Sequence, residues 1–221
     1  MPSCLAAVQK AERMLGRTVE KIVVINRCTD RTEEIAQAAG CLVVKEDAKN
    51  LAKIRNRGVA QANGEVIVTI DADSQMSENF LTEISGKLQS NLVIGGGVLM
   101  LPSRWSLGIT LTALCLVPIV LWHGISGGAF FVRKVDFLAI GGFNEEMVSV
   151  EDIDFAKRLK SYGQRKGQKF LSLYKAHIVT STRKFDRFGD WFFLRNPRLF
   201  LSLFSGKNRE AADKVWYDFE R

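Results

Sequence analysis

The chain has 221 residues, of which 47% are hydrophobic and 25% are charged, and its formal net charge is +7. This composition is typical of one folded domain with a sizeable core and excludes a disordered or fibrous chain. The four cysteines and two histidines form no Cys-x-x-Cys pattern, which argues against a zinc site and fits a reducing compartment. No basic-then-apolar leader opens the sequence, so we expect a cytoplasmic protein.

The first hundred residues alternate between predicted helices and short apolar strands. Helix starts are indicated by Asp30 with Glu33 as a capping box, by Asn50 and by Ser77. The apolar run 65–70 is typical of a buried, parallel strand. Repeated units of this kind predict an α/β fold, a three-layer α/β/α sandwich with a mostly parallel twisted sheet. Helices are predicted over 5–15, 30–40, 50–62 and 77–88, and strands over 21–25, 41–45, 65–70 and 92–99.

A long segment without charge follows, covering residues 105–132. Its first part, to residue 122, is long and apolar enough to be a transmembrane candidate, although it contains Gly108 and Pro118. A single crossing would place its two flanks on opposite sides of a membrane, which is impossible if both flanks build one site. We therefore predict a buried or membrane-surface element.

The C-terminal part is basic and rich in aromatic residues. Residues 157–209 contain 14 Lys or Arg and two Asp, which indicates phosphates, an anionic membrane surface or nucleic acid as partner, or a solvated basic face. The segment 191–204 mixes Trp, Phe and Leu with arginines, which predicts an interfacial helix or a helix packed on the core. No nucleic-acid-binding motif is visible, so we expect no nucleic acid partner.

Two carboxylates follow the strand at 65–70. Ligands of open α/β sheets bind at the carboxyl ends of strands, and side chains at i and i+2 of an extended chain point the same way. Asp71 and Asp73 are therefore predicted to hold Mg²⁺ or Mn²⁺, with Gln75 adding a neutral oxygen. Acidic turns also produce this pattern by chance.

A second acidic group opens the predicted helix at 152–161. Glu151, Asp152 and Asp154 suit the dipole at a helix N-terminus, and a carboxylate there can also act as a general base. The glycine pairs at 127–128 and 141–142 allow close approach to a ligand or a sharp turn.

Taken together, these segments resemble the family 2 glycosyltransferases of GT-A fold. The resemblance covers about residues 3–190. It is carried by the strand that ends in Asp-Ala-Asp, by the segments 127–133, 141–146 and 151–159, and by the earlier segments 26–30 and 54–58.

The resemblance implies specific roles. Asp71 and Asp73 would bind the donor diphosphate through Mg²⁺ or Mn²⁺, Asp152 would be the catalytic base, and Glu151 would place the acceptor. Gln75 and His177 would be further ligands of the metal. Gly127 and Gly128 would line the cleft for the donor sugar and the acceptor. The donor would also be bound by Asn26, Asp30, Arg55, Arg183 and Lys184.

The function implied is inverting transfer of a sugar from a nucleotide-sugar donor to a hydroxyl of a lipid-linked or polysaccharide acceptor, for the cell envelope. Residues 1–190 would form the GT-A domain, with a nucleotide-sugar half at 1–100 and an acceptor half at 123–190. Residues 191–221 would form an amphipathic helical tail. We expect peripheral contact with the inner face of the membrane.

Three departures from the family pattern lead to further expectations. No strand precedes residue 2, so we predict a gap or a substituted strand between segments 21–25 and 65–70. Ile25 and Asn144 stand where the family usually has Asp. Because the Asp replaced by Ile25 commonly reads the base of the nucleotide, the sequence does not determine which base the donor carries. The alternative is a catalytically impaired relative that binds a membrane surface or a protein.

Overall fold

The computed structural model describes residues 1–123, 128–213 and 215. Its strands are β1 (Ile22–Ile25), β2 (Leu42–Lys45), β3 (Val66–Ile70), β4 (Ser74–Met76), β5 (Val93–Pro102), β6 (Ala129–Arg133) and β7 (Lys169–Thr180). Its helices are α1 (Pro2–Leu15), α2 (Thr32–Ala38), α3 (Leu51–Gln61), α4 (Phe80–Leu88), α5 (Leu107–His123), α6 (Lys134–Ala139), α7 (Glu151–Arg165), α8 (Arg183–Phe188), α9 (Phe192–Arg195), α10 (Pro197–Leu203) and α11 (Arg209–Ala212).

Layers of helix cover both faces of the larger sheet, which confirms the predicted α/β class. On one face, Ala11 of α1 and Phe80 of α4 pack with Phe131 of β6. On the other face, helices α3, α6 and α7 pack against Phe130 of the same strand, around a cluster in which Phe143 and Phe155 stack at 4.3 Å. Successive residues of β6 therefore feed opposite cores, as the alternation of side chains along a strand requires.

The strand pairing is more mixed than the sequence predicts. The five-stranded sheet has the order β3-β6-β5-β7-β4. Strand β6 runs antiparallel to both β3 and β5, and β4 runs antiparallel to β7, so only β5–β7 and β1–β2 are parallel pairs. The mostly parallel pairing and the parallel type assigned to residues 65–70 are therefore wrong. The cause is that β3, β5 and β7 share one direction, whereas β6, between β3 and β5, and β4, at the edge beside β7, run in the opposite direction.

The sheet is interrupted between β1 and β3. In the described residues, β1 pairs with β2 in a separate two-stranded sheet, and β3 pairs with β6. The segments that lead into the two strands are tied together, because the Glu20 carboxylate accepts hydrogen bonds from the N–H groups of Asn63 at 2.7 Å and Gly64 at 3.2 Å. The predicted interruption between segments 21–25 and 65–70 is thereby confirmed.

The helix starts follow the sequence only in part. Asn50 caps α3, since its Oδ1 accepts the Lys53 N–H at 2.9 Å. The capping box predicted at residues 30–33 is wrong, because α2 starts at Thr32 and its N-cap, Arg31, makes no side-chain capping bond. The cap predicted at Ser77 is also wrong: the chain first completes β4, and α4 begins later, at Phe80.

The first part of the uncharged segment forms α5, which lies outside the sheet, whereas its last residues, 129–132, belong to β6. No helix among the described residues combines the length and apolarity that crossing a membrane requires. The single helix predicted over 191–204 is wrong, because Pro197 has no N–H to continue it and separates α9 from α10. The tail packs on the body, where the Ser149 hydroxyl donates to the Leu203 carbonyl at 2.7 Å.

Candidate active site

The two carboxylates after β3 point to different partners. The chain turns at once, since the Ser74 N–H donates to the Asp71 carbonyl at 2.9 Å. Asp71 accepts a hydrogen bond from Arg55 at 3.1 Å, and Asp73 accepts one from Arg183 at 3.1 Å. The extended geometry predicted for this motif is therefore wrong, because the turn separates the directions of the two side chains.

Arg55 joins the two acidic segments of the site. Its guanidinium donates to Asp71 and, at 2.7 Å, to Glu151, and its side chain is only 11% exposed. It also lies over the Phe143 ring, 5.2 Å from the ring centroid. Burial works to lower the pKa of Arg55, but the neighbouring carboxylates outweigh it and raise that pKa above its usual value. The charged arginine is thus held by its ion pairs.

The predicted base lies at the start of α7. Glu151 is buried and Asp152 is half-buried. Burial raises the pKa of both carboxyl groups, and the charge of Arg55 opposes the rise. Val150, just before them, has φ 51 and ψ 23, a left-handed conformation that is strained for a β-branched side chain. Backbone strain thus lies directly before the two carboxylates.

The late basic segment lies beside the carboxylates. Arg183 and Lys184 open α8, and Arg183 reaches Asp73 from a position 110 residues further along the chain. Burial lowers the pKa of Lys184 to about 8, although the charges of Asp71 and Asp73 counteract part of this effect. Arg183 and Lys184 thus join Arg55 as cationic side chains close to these carboxylates.

A cleft of about 220 Å³ opens next to Asp73 and is also lined by Gln75, Ser103 and Ser181. Its oxygen-bearing side chains suit a hard divalent cation. His177 lies on β7, where its backbone N–H donates to the Ser77 hydroxyl at 3.1 Å. It is not among the residues that line the cleft. Within the described ranges, no three His, Cys, Asp or Glu side chains cluster as a complete metal site.

The predicted nucleotide-side loop belongs to the smaller sheet. Asn26 is buried, and its amide donates to the carbonyls of Glu46 and of Ala48, so it joins the ends of β1 and β2. The hydroxyl and N–H of Thr32 lower the pKa of Asp30, which is exposed. Hydrogen bonds thus hold both ends of the loop.

The two glycines predicted to line the cleft are not equally placed. Gly127 lies outside the described residues. Gly128 has φ +94, and a Cβ there would lie 2.8 Å from the Met100 sulfur and 3.0 Å from Ile178. Close packing against the core is therefore one reason for glycine at this position.

Two asparagines of α3 hold the loop that leads to α7, a function that the sequence analysis missed. Asn56 binds both the N–H and the carbonyl of Phe143 at 2.9 Å. Asn50 donates to the carbonyls of Glu145 at 2.8 Å and Met147 at 3.1 Å. Because these partners are about 90 residues away, only the resemblance of segment 54–58 marked this helix as important.

Comparison with known proteins finds similar sequences for the first part of the chain. Residues 1–101 match the family described as "Glycosyl transferase family 2". A TPR repeat-containing protein of Synechococcus elongatus is 33% identical over 89 residues, which is 40% of this chain and 21% of that protein. The chain thus spans about a fifth of this curated relative.

Solved structures share the fold at low sequence identity. A glucosyl-3-phosphoglycerate synthase from Mycobacterium tuberculosis, in complex with Mn²⁺, UDP and phosphoglyceric acid, has a TM-score of 0.58 at 18% identity over 90% of this chain and 72% of that one. Residues 1–349 of S. aureus TarS, in complex with UDP, give a TM-score of 0.60 at 17% identity over 85% of this chain and 58% of that one.

The chain therefore has the fold of the GT-A glycosyltransferases. The match of residues 1–101, slightly under half of the chain, to glycosyl transferase family 2 agrees with the resemblance drawn from the motifs.

Proposed function

We propose that this chain transfers a sugar from a nucleotide-sugar donor to a hydroxyl acceptor. The observation that supports this function best is the double ion pair of Arg55 with Asp71 and Glu151. It brings the predicted donor segment and the predicted base segment, 80 residues apart along the chain, to one place in a GT-A fold. Fold alone does not imply function, so the proposal rests on this arrangement of side chains.

A divalent cation fits the donor side. Asp73 and Gln75 line the cleft with oxygen-bearing side chains, and Asp71, two residues before Asp73, adds a carboxylate that pairs with Arg55. The mycobacterial synthase binds Mn²⁺ together with UDP. In this chain the same three residues, with His177 as a further candidate, would hold Mg²⁺ or Mn²⁺, which would neutralise charge on the donor diphosphate when bound.

The protein's own residues would carry out the remaining chemistry. Glu151 places the acceptor hydroxyl, and Asp152 removes its proton as its oxygen attacks the anomeric carbon. A new carbon–oxygen bond forms while the bond from that carbon to the diphosphate breaks, and attack from the opposite side inverts the configuration. Arg183 and Lys184 stabilise the negative charge that develops on the leaving nucleoside diphosphate.

The raised pKa of Asp152 suits this task. A general base works best when its pKa lies near the working pH, and burial shifts this carboxyl group in that direction. The donor half of the proposal includes Asn26, Asp30 and Arg55 on the nucleotide side, and Gly127 and Gly128 along the cleft.

The acceptor and the location are part of the same proposal. The basic C-terminal half and the apolar α5 favour a lipid-linked or polysaccharide acceptor of the cell envelope, with the protein bound peripherally to the inner face of the membrane. Residues 191–221 would be the tail that makes part of this contact.

Donor binding is tested by calorimetric titration of UDP- and GDP-sugars, with and without Mn²⁺. We expect metal-dependent binding that is lost in Asp73→Ala. The matched control is Glu78→Ala, an exposed carboxylate five residues further along the chain that pairs with Lys10 at 3.6 Å. Equal binding by both variants would contradict the assigned donor site.

The base is tested separately, because its loss should spare donor binding. Asp152→Asn should bind the donor normally and lose transfer by about 10²- to 10⁴-fold. Asp154→Asn on the same helix, whose carboxylate pairs with Arg158 at 2.7 Å, is the control and should retain activity. A fully active Asp152→Asn enzyme would exclude this residue as the base.

A second candidate function is a binding module without activity. Its specific support is that Asp71 and Asp73 are each already paired with an arginine, beside an interrupted sheet. Absence of binding to every donor, with a folded protein, would favour this candidate.

A further inference from the structure

One side of helix α5 exposes a stripe of apolar side chains. Leu107 is 67% exposed, Leu111 37%, Leu114 57% and Val117 44%. Cys115 is exposed on the same side. Positions 107, 111, 114 and 115 follow the spacing of one helix face. We call these five residues the α5 face.

The opposite side of α5 fixes the helix to the protein. Ile109 and Thr112 are buried, and a Cβ on Gly108 would lie 2.6 Å from the Asp190 carbonyl. The α5 face therefore points outward from a helix that is already packed on its other side. A folded monomer rarely leaves a contiguous apolar patch of this kind exposed unless something binds it.

The surroundings of the α5 face carry the composition of a membrane interface. Trp105, at the start of the helix, is 58% exposed, and Trp191, next to the residue that contacts Gly108, is 38% exposed. Helix α9 packs against α5, and it ends at Arg195, which is exposed, as is Arg198 on α10. Tryptophan and arginine beside exposed leucines are typical of elements that lie in the headgroup region of a bilayer.

We propose that the α5 face, with the basic helices α8 to α10 beside it, docks onto the surface of an anionic phospholipid bilayer. The uncharged face would enter the boundary between headgroups and acyl chains, and the arginines would bind lipid phosphates. A second copy of this chain fits less well. In a two-fold interface the same surface meets itself, so the basic residues of the two copies would repel each other.

The docking surface adjoins the proposed active site. Ser103, shortly before α5, lines the cleft with Asp73, and its hydroxyl lies 3.0 Å from that of Thr182, next to Arg183. A protein seated on its α5 face would therefore hold the cleft close to the lipid headgroups. This deepens the membrane contact proposed above and rests on that proposal for a lipid-linked acceptor.

Vesicle sedimentation tests the docking directly. Vesicles of equal parts phosphatidylglycerol and phosphatidylcholine should bind the protein, more weakly at high salt, and pure phosphatidylcholine vesicles should bind it less. Leu111→Asp with Leu114→Asp should weaken binding about tenfold or more. The matched control is Val135→Asp with Leu138→Asp, where the side chains are 70% and 59% exposed on α6. Equal loss in both pairs, or no binding by the unmodified protein, overturns the proposal.

A second measurement locates the contact. In a background with Cys28→Ser and Cys41→Ser, a water-soluble maleimide should label Cys115, and anionic vesicles should slow this labelling at least severalfold. An unchanged rate of Cys115 labelling in vesicle-bound protein would show that another surface docks. Light scattering without vesicles tests whether a second copy of this chain binds the α5 face instead. A dimer that is abolished by Leu111→Asp with Leu114→Asp would assign the face to a second copy and overturn the proposal.

The test is separable from that of the proposed function. Donor titration needs no vesicles and should be unchanged by the α5 substitutions. Normal donor binding without vesicle binding would overturn the docking alone, and vesicle binding without donor binding would overturn the catalytic proposal alone.

Discussion

Replacing Arg55 with methionine should destabilise the protein strongly at neutral and alkaline pH. The Arg55 side chain is 11% exposed and its partner Glu151 is 9% exposed, so both charges are almost removed from water. Removing one partner of such a pair leaves the other charge buried and typically costs about 3–5 kcal/mol. The pair with Asp71, which is 42% exposed, adds less than about 1 kcal/mol because solvent screens it.

The loss should depend on pH. Burial already raises the pKa of Glu151 and of Asp152, and without Arg55 both pKa values rise further. An acid whose pKa is higher in the folded state stabilises the fold below its unfolded pKa, and this stabilisation is lost as pH rises through the folded pKa. The variant should therefore lose about 4 kcal/mol at pH 8 and clearly less at pH 5, where protonation removes the unpaired charges.

Urea unfolding monitored by tryptophan fluorescence at the two pH values measures this difference. Arg57→Met, an exposed arginine two residues further along α3, is the control and should change the free energy of unfolding by less than about 0.5 kcal/mol. Should Arg55→Met not fold, Arg55→Lys retains the charge and should show a smaller loss of the same sign. A loss below about 1 kcal/mol, or one equal at both pH values, would refute the reasoning.

Three further measurements follow from local geometry. Gly96→Ala should destabilise the protein by about 1–3 kcal/mol, because the added Cβ would overlap a carbonyl of β7. Gly86→Ala in α4 meets open space and should stabilise the protein by about 0.5–1 kcal/mol. Urea unfolding midpoints in the opposite order would contradict this packing. A lysine whose pKa is lowered to about 8 destabilises the fold while it is charged. The free energy of unfolding of the wild type, measured relative to that of Lys184→Met, should therefore rise between pH 8 and pH 10. A difference that stays constant over this range would refute the burial of this amine. Cys115 is exposed, whereas Cys4 is buried with a pKa raised to about 11, so a thiol reagent should modify Cys115 much faster, and peptide mapping that finds the reverse would contradict the described burial.

The sequence predicted those features whose causes are local. The apolar runs of β1 to β3, the Asn50 cap and the position of Asp71 at a strand end all follow from neighbouring residues. The interruption of the sheet was also predictable, because the order of elements begins with a helix. The break at Pro197 was visible in the sequence but outweighed by the regular aromatic pattern around it.

The partners of the site residues could not be predicted in the same way. Arg55 finds Glu151 across 96 positions, and Arg183 finds Asp73 across 110. Which cation reaches which carboxylate depends on how the helices pack on the sheet, and the sequence pattern does not encode that distance. The direction of β6 is a similar case, because its apolar composition suits either orientation.

The break between β1 and β3 leaves each strand with one edge that pairs with no other strand in the described part of the chain. Along such an edge, alternate amide groups lack the strand partner that protects them from solvent, so their hydrogens should exchange early, while those of β6, paired on both sides, exchange late. An open edge is also a template for any other extended chain. Strand pairing between neighbouring molecules is therefore the kind of self-association that these two edges favour.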